Sequence, residues 1–232
     1  SAVSSDKKDF ISIVDFEPYK PSYNQHASLI SCPIYDKNER IGVLIFQMPI
    51  DKINNIMTNR QQWSKVGLGV SGETYIVGHD FTLRNQSRFL IEDRAHYLEM
   101  IQEIGVSQDT IEMIKNFGST VGLQKVETEG TFLAQSGETD TRIFSDYRGV
   151  DVLSAYRPLH IEGLDWSILS EIDESEAFQA VDSLKQSIVL VFLVLILLII
   201  LTSLLFARGI TKPIKALTRS SKELARGNLD AK

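Results

Sequence analysis

The groups able to do chemistry in this chain are numerous but scattered. Thirty aspartates and glutamates supply carboxylates in plenty. Their spacing singles out no acid–base pair, and a solvated acidic surface accounts for them. Gly67, Gly69 and Gly72 precede a strand-like run rather than a helix, so they form no phosphate cradle at a helix N-terminus. No G-x-S-x-G elbow for a nucleophilic serine occurs. The histidines, His26, His79, His96 and His160, lack metal-ligand spacing. Cys32, the single cysteine, sits in an apolar run, which suits a small buried residue better than a reactive thiol. The chain therefore reads as having no catalytic residues, no metal site and no cofactor. What remains is recognition. Arg84 carries a planar fork of donors that can hold a carboxylate. Arg84 and Arg88 can equally pair with Asp80 or Asp93 inside the fold.

The elements around these residues divide the chain in two. Residues 188–207, IVLVFLVLILLIILTSLLFA, run without a charge. At 1.5 Å per residue this is the length that crosses a hydrocarbon core of about 30 Å. The segment after it holds seven Lys or Arg against two acids, Glu223 and Asp230, while the segment before it holds 17 basic and 28 acidic residues. The positive-inside rule then places residues 208–232 in the cytoplasm and residues 1–187 outside, at the inner (plasma) membrane. No second apolar run of this length occurs, so an upstream signal or membrane helix is expected to be missing.

Before the span the pattern is mixed. Residues 1–26 are polar and give weak signals. Ala27–Ile34 and Arg40–Gln47 are strand-like, with a turn at Asp36–Glu39. Pro49 opens a helix carrying Ile50, Ile53, Ile56 and Met57 on one face. Glu73–Val77 reads as a strand, followed by a turn at His79-Asp80 and a second strand at Thr82–Asn85. Residues 93–117 read as helix, broken near Gly105, with Ser107 capping the second piece and Gly118 ending it. Residues 120–146 are mixed strand and loop. Tyr147-Arg148-Gly149 turns between strands at 141–146 and 150–159, and Leu164–Ile172 is the last strand. From Asp173, which can cap it, a helix runs without Gly or Pro into the span. Beyond the span, Ile210, Ile214, Leu217, Ser221 and Leu224 make a heptad seam that needs partner helices.

Two stretches carry a family resemblance. Ile210-Thr211-Lys212-Pro213-Ile214, then Leu217, Leu224 and Gly227-Asn228-Leu229, resembles the first helix of a HAMP domain. HAMP domains are parallel four-helix bundles built by two subunits, so the resemblance implies a homodimer. With Lys232 the last residue, the second HAMP helix is expected to be absent. Gly72-Glu73-Thr74-Tyr75-Ile76-Val77-Gly78-His79-Asp80, then Leu83-Arg84 and Ser87-Arg88-Phe89, resembles the membrane-proximal lobe of double Cache sensors. Asp146–Gly149, Val152–Tyr156, Gly163–Trp166 and Glu171–Asp173 extend the likeness. Residues 27–57 resemble the end of the membrane-distal lobe, whose first half is expected to be missing.

The resemblance implies an α+β fold: a PAS-like Cache lobe, an antiparallel sheet with flanking helices, then a transmembrane helix and a cytoplasmic coiled-coil-type helix. The implied domains are residues 1–60 (distal lobe and connecting helix), 61–172 (proximal lobe), 173–187 (juxtamembrane helix), 188–207 (span) and 208–232 (incomplete HAMP). PAS-like sheets hold small ligands on their concave face, where Tyr75, Arg84, Tyr147 and Tyr156 can orient one. Tyr75 and Tyr156 can as well be packing residues. Asp173, Pro213, Ile214, Leu217 and Leu224 are read as relay positions, with Pro213 a joint because it lacks an N–H. The implied function is a receptor module. It passes binding of a small molecule or a periplasmic binding protein through the bilayer to a missing cytoplasmic output domain, as in a chemoreceptor or histidine kinase. Two alternatives stand beside it: the regulatory half of a nucleotide cyclase or phosphatase, and a non-signalling membrane-anchored binding or structural domain. Nucleic acid is not an expected partner.

Overall fold

In the computed structural model, which describes residues 9–226 apart from the side chain of Glu223, alternating apolar residues build two antiparallel sheets. The first has the order β1-β2-β3, from Ser12–Tyr19, Gln25–Asp36 and Glu39–Gln47. The second has the order β4-β7-β6-β5, from Glu73–Val77 (β4), Asp140–Ser145 (β5), Asp151–Ile161 (β6) and Leu164–Asp173 (β7). Helix α1 (Ile50–Met57) follows the first sheet. Four short helices, α2 (Arg88–Glu92), α3 (Arg94–Glu103), α4 (Gln108–Phe117) and α5 (Glu129–Gln135), lie between β4 and β5 in sequence.

Local chemistry fixes most boundaries. Ser87, Asp93, Ser107 and Thr128 each cap a helix with a side-chain oxygen that accepts a backbone N–H. Gly118 ends α4 in the left-handed region, at φ 62°. The turn between β5 and β6 closes through Gly149, at φ 78°, while the Asp146 carboxylate accepts from the backbone N–H groups of Arg148 and Val150.

Side chains alternate across a strand, so the second sheet presents two different faces. On one, Tyr75, Val77, Val152, Tyr156 and Leu169 pack against Leu90 of α2, Tyr97 and Ile101 of α3, and Ile111 and Ile114 of α4. On the other, Ile76, Leu164 and Trp166 pack against Phe16 of β1, Met57 of α1 and Val121. The fold class read from the sequence, antiparallel sheets with flanking helices followed by a long apolar helix, is the one found.

Several local expectations are corrected. Residues 12–19, within a polar stretch read as giving weak signals, form β1, and residues 129–135 form α5 within a stretch read as strand and loop. Thr82–Asn85 is not a strand. Its backbone bonds divide between β4 (Arg84 N–H to Ile76 O) and a later loop (Leu83 N–H to Gln124 O), leaving isolated bridges. The helix expected to run unbroken from Asp173 is interrupted. Helix α6 (Glu174–Ala177) ends at Phe178, whose φ of −100° and ψ of 3° are not helical, and helix α7 begins at Gln179.

Residues up to Ala177 form one unit and those from Phe178 a second. The second unit holds α7 (Gln179–Phe206), a π-helical turn at Ala207–Thr211, and α8 (Lys212–Ala225). This apolar helix is long enough to cross a membrane and has no buried residue. The π turn, in which the Lys212 N–H donates to the Ala207 carbonyl, comes directly before Pro213. Proline removes one helical donor and crowds the preceding turn, and a wider turn relieves both.

Candidate functional site

The helix-facing side of the second sheet carries an unusual load of polar groups. Register places Glu73 of β4 opposite Glu171 of β7, and Glu171 opposite Ser154 of β6; the next row is Tyr75, Leu169 and Tyr156. All six side chains are buried. The Tyr147 hydroxyl donates to Glu73 Oε2 at 2.7 Å and shares a hydrogen bond with Ser87 Oγ at 2.9 Å. The Tyr147 and Tyr75 rings meet edge to face, with centroids 5.9 Å apart. Burial raises the Glu73 pKa, against the opposing pull of the Tyr147 hydroxyl and the Arg88 amide. Burial likewise raises Glu171, to about 7. The hydroxyls of Tyr75 and Ser154 are near enough to draw that value down, yet neither they nor Glu171 Oε1 finds an aligned partner.

Beside this cluster is an open cavity of about 930 Å³. Its walls include Tyr147 and Asp146 from the β5–β6 turn, Gln124, the Ile104–Val106 bend and Met113 of α4. Of the four residues singled out in the sequence, Tyr147 lines this cavity, with its hydroxyl turned to Glu73 and Ser87. Tyr156 lines a separate hollow of about 380 Å³ beside Asp140 and Arg157. Tyr75 and Arg84 line neither; Tyr75 belongs to the core.

Arg84 is 2% exposed, and its donors are engaged. Its Nε and Nη2 donate to the two carboxylate oxygens of Asp15 at 2.8 and 2.7 Å. Nη2 also reaches Asp80 at 2.9 Å, and Nη1 reaches the Thr82 carbonyl at 3.0 Å. Asp15 further accepts from Trp166 Nε1 at 2.9 Å. The Asp80 pairing is one the sequence suggested. Asp15, 69 residues away, is a partner it did not. A ligand carboxylate at Arg84 would have to displace these groups.

The end of β7 is tied by charge. The Asp173 carboxylate accepts from Arg148 Nη2 at 2.6 Å, and Arg148 also holds Asp146. The Asp173 N–H donates to Ser71 Oγ at 3.0 Å. Glu176 of α6 accepts the backbone N–H groups of Val70 and Ser71, each at 2.8 Å. The Ser71 hydroxyl and these N–H groups hold its pKa below the usual carboxylate range. The other relay candidates, Pro213, Ile214, Leu217 and Leu224, all lie in α8, with Ile214, Leu217 and Leu224 exposed. Gly227-Asn228-Leu229 lies outside the described residues. Among the described residues no group of three or more His, Cys, Asp or Glu side chains could hold a metal.

The Cache-domain family dCache_1 matches residues 4–181. The chain belongs to this Cache family. Among solved structures, the chain resembles the extracellular domain of the putative histidine kinase vpHK1S-Z8, with a TM-score of 0.46 and 12% identity over 78% of this chain and 56% of that one. The periplasmic sensory domain of the Campylobacter jejuni chemoreceptor Tlp1 gives a TM-score of 0.45 and 14% identity over 73% and 51%. The ligand-binding domain of the Pseudomonas fluorescens chemoreceptor CtaA in complex with L-leucine gives 0.40 and 14% over 76% and 58%. The chain thus spans little more than half the length of these structures. No curated protein matches it. The Cache chain has its domain before residue 182 and its apolar helix after residue 178.

Proposed function

We propose that this chain is the extracytoplasmic sensor and transmembrane relay of a membrane receptor. The observation that carries the reading is the direct succession, in one chain, of a Cache domain, an apolar helix and a basic amphipathic helix. The Cache domain lies outside the plasma membrane. Helix α7 crosses it, and α8 begins the cytoplasmic side as the first helix of a HAMP-type bundle formed by two copies. A small molecule enters the cavity beside Tyr147 and favours one of two conformations. The shift passes along β7 through Asp173 to α7, and the π turn before Pro213 takes up the motion before α8. A tenfold preference of the ligand for one conformation supplies about 1.4 kcal/mol to this shift. The cytoplasmic output is of the chemoreceptor or histidine-kinase kind.

Labelling of intact cells tests the placement. In a Cys32→Ser background, Glu112→Cys is expected to react with a membrane-impermeant maleimide, and Lys215→Cys only after permeabilisation. Both positions are exposed. Reaction at 215 in intact cells would refute the orientation, and with it the sensor reading.

A further inference from the structure

Two carboxyl side chains face each other inside the second sheet, and binding at the cavity gives neither a role. Glu73 and Glu171 are cross-strand partners on one face, 3% and 4% exposed. Directly opposed side chains have their Cβ atoms about 4.5–5.5 Å apart, and like charges so placed repel. We propose that the Glu73–Glu171 pair is a proton-binding site, through which extracytoplasmic pH sets the state of β7.

Among the described residues, the surroundings supply no cation to spare. From β4 come Glu73 itself and Tyr75; from β6 comes Ser154, which is uncharged. The β5–β6 turn brings Asp146, Tyr147 and Arg148, but Arg148 is already shared between Asp146 and Asp173. From α2, Arg88 gives Glu73 only its backbone N–H; its guanidinium serves Glu92 and the Gly69 and Gly72 carbonyls. Burial, and after it the charge of the nearby Glu73, raises the pKa of Tyr97 of α3. Burial holds Tyr75 and Tyr147 well above their ordinary values too, so these phenols stay protonated, and Tyr147 donates to Glu73. Two carboxylates and no unshared positive charge cannot both ionise cheaply, and the pair therefore titrates as a unit.

The last proton is expected to leave the pair near the value at which burial holds Glu171, about 7. Below that pH the pair carries at least one proton. Above it, a second negative charge arises within the sheet. Glu171 is two residues from Asp173, where the strand is fastened to Arg148 and Ser71. That end of β7 is where the repulsion can be relieved. The sign of the stability change follows. A carboxyl with a raised pKa binds more protons folded than unfolded. Its stabilising contribution is full below the ordinary value of 4.5 and is lost as pH rises through about 7. Glu73 has the same sign.

This inference rests on the sensor reading only for what happens downstream of β7. The test uses the full chain in lipid nanodiscs, with carbon-13 NMR of the glutamate carboxyls and thermal unfolding between about pH 5 and about pH 8.5. Wild type is expected to show a carboxyl midpoint near 7, missing in Glu171→Gln, and a melting temperature that falls across this window. In Glu171→Gln the fall should flatten. In Glu73→Gln the Glu171 midpoint should drop, because the opposed charge is gone. A Glu171 midpoint below about 5, or an undiminished fall in a folded Glu171→Gln, would overturn the proposal. Should Glu171→Gln fail to fold, an unchanged Glu171 midpoint in Glu73→Gln overturns it alone. A raised midpoint in a chain with reversed labelling topology would retain the proton site while sinking the sensor reading.

Discussion

The two faces of the four-stranded sheet are buried with different chemistry. The face toward β1 and α1 is apolar: Ile76, Leu164 and Trp166 close on Phe16, Met57 and Val121. The face toward α2, α3 and α4 also has an apolar core, but threads it with Glu73, Tyr75, Ser154, Tyr156 and Glu171. Burying polar groups without aligned partners costs stability, about 1–3 kcal/mol for each. A surface serving stability alone would not retain them, since well-packed apolar replacements are often neutral or stabilising. Under the proposed function, the first face is scaffold and the second, which adjoins the cavity, does the sensing.

Substitutions can break that comparison. Trp166→Ala should give the largest loss, about 3–5 kcal/mol in denaturant unfolding, through lost packing against Phe16. A loss below about 1 kcal/mol would mean that the apolar face is not the scaffold. Asp15→Ala should come next, at roughly 3 kcal/mol, because it leaves the Arg84 charge buried with Asp80 as its remaining carboxylate. Asp15→Asn keeps an acceptor for Trp166 and Arg84 and should lose less. If Asp15→Ala unfolds at the wild-type midpoint, the Arg84–Asp15 pair is not what ties β1 to this sheet.

The regular strands β4, β6 and β7 were the more legible in the sequence. Strand β4 was readable to the residue, and β6 and β7 nearly so, because alternation and turn residues agree there. The break between α3 and α4 at Gly105 and the Ser107 cap were readable for the same reason. Strand β1 was hidden by its polar alternation and by Pro18. Helix α5 was hidden by its seven-residue length and by Gly130, which faces the Phe144 ring where a Cβ would collide with it. The polar face depends on register and on distant partners. Arg84 looked able to take a ligand because nothing local reveals Asp15. Glu73 and Glu171 looked like ordinary surface acids because only the β4–β7 pairing sets them face to face. Their position two residues from Tyr75 and Leu169, on the inward parity of each strand, was the available signal.

The central claim is that the cavity beside Tyr147 receives a ligand. The direct test is a thermal-shift titration of the full chain against amino acids, organic acids, amines and purines, in wild type and in Met113→Trp, which narrows the cavity from α4. One compound class is expected to raise the melting temperature with dose, by the amount its free concentration over Kd dictates, and to lose that effect in Met113→Trp. Stabilisation that persists undiminished in a folded Met113→Trp, or no stabilisation by any compound, would contradict the assignment of this cavity as the sensing site.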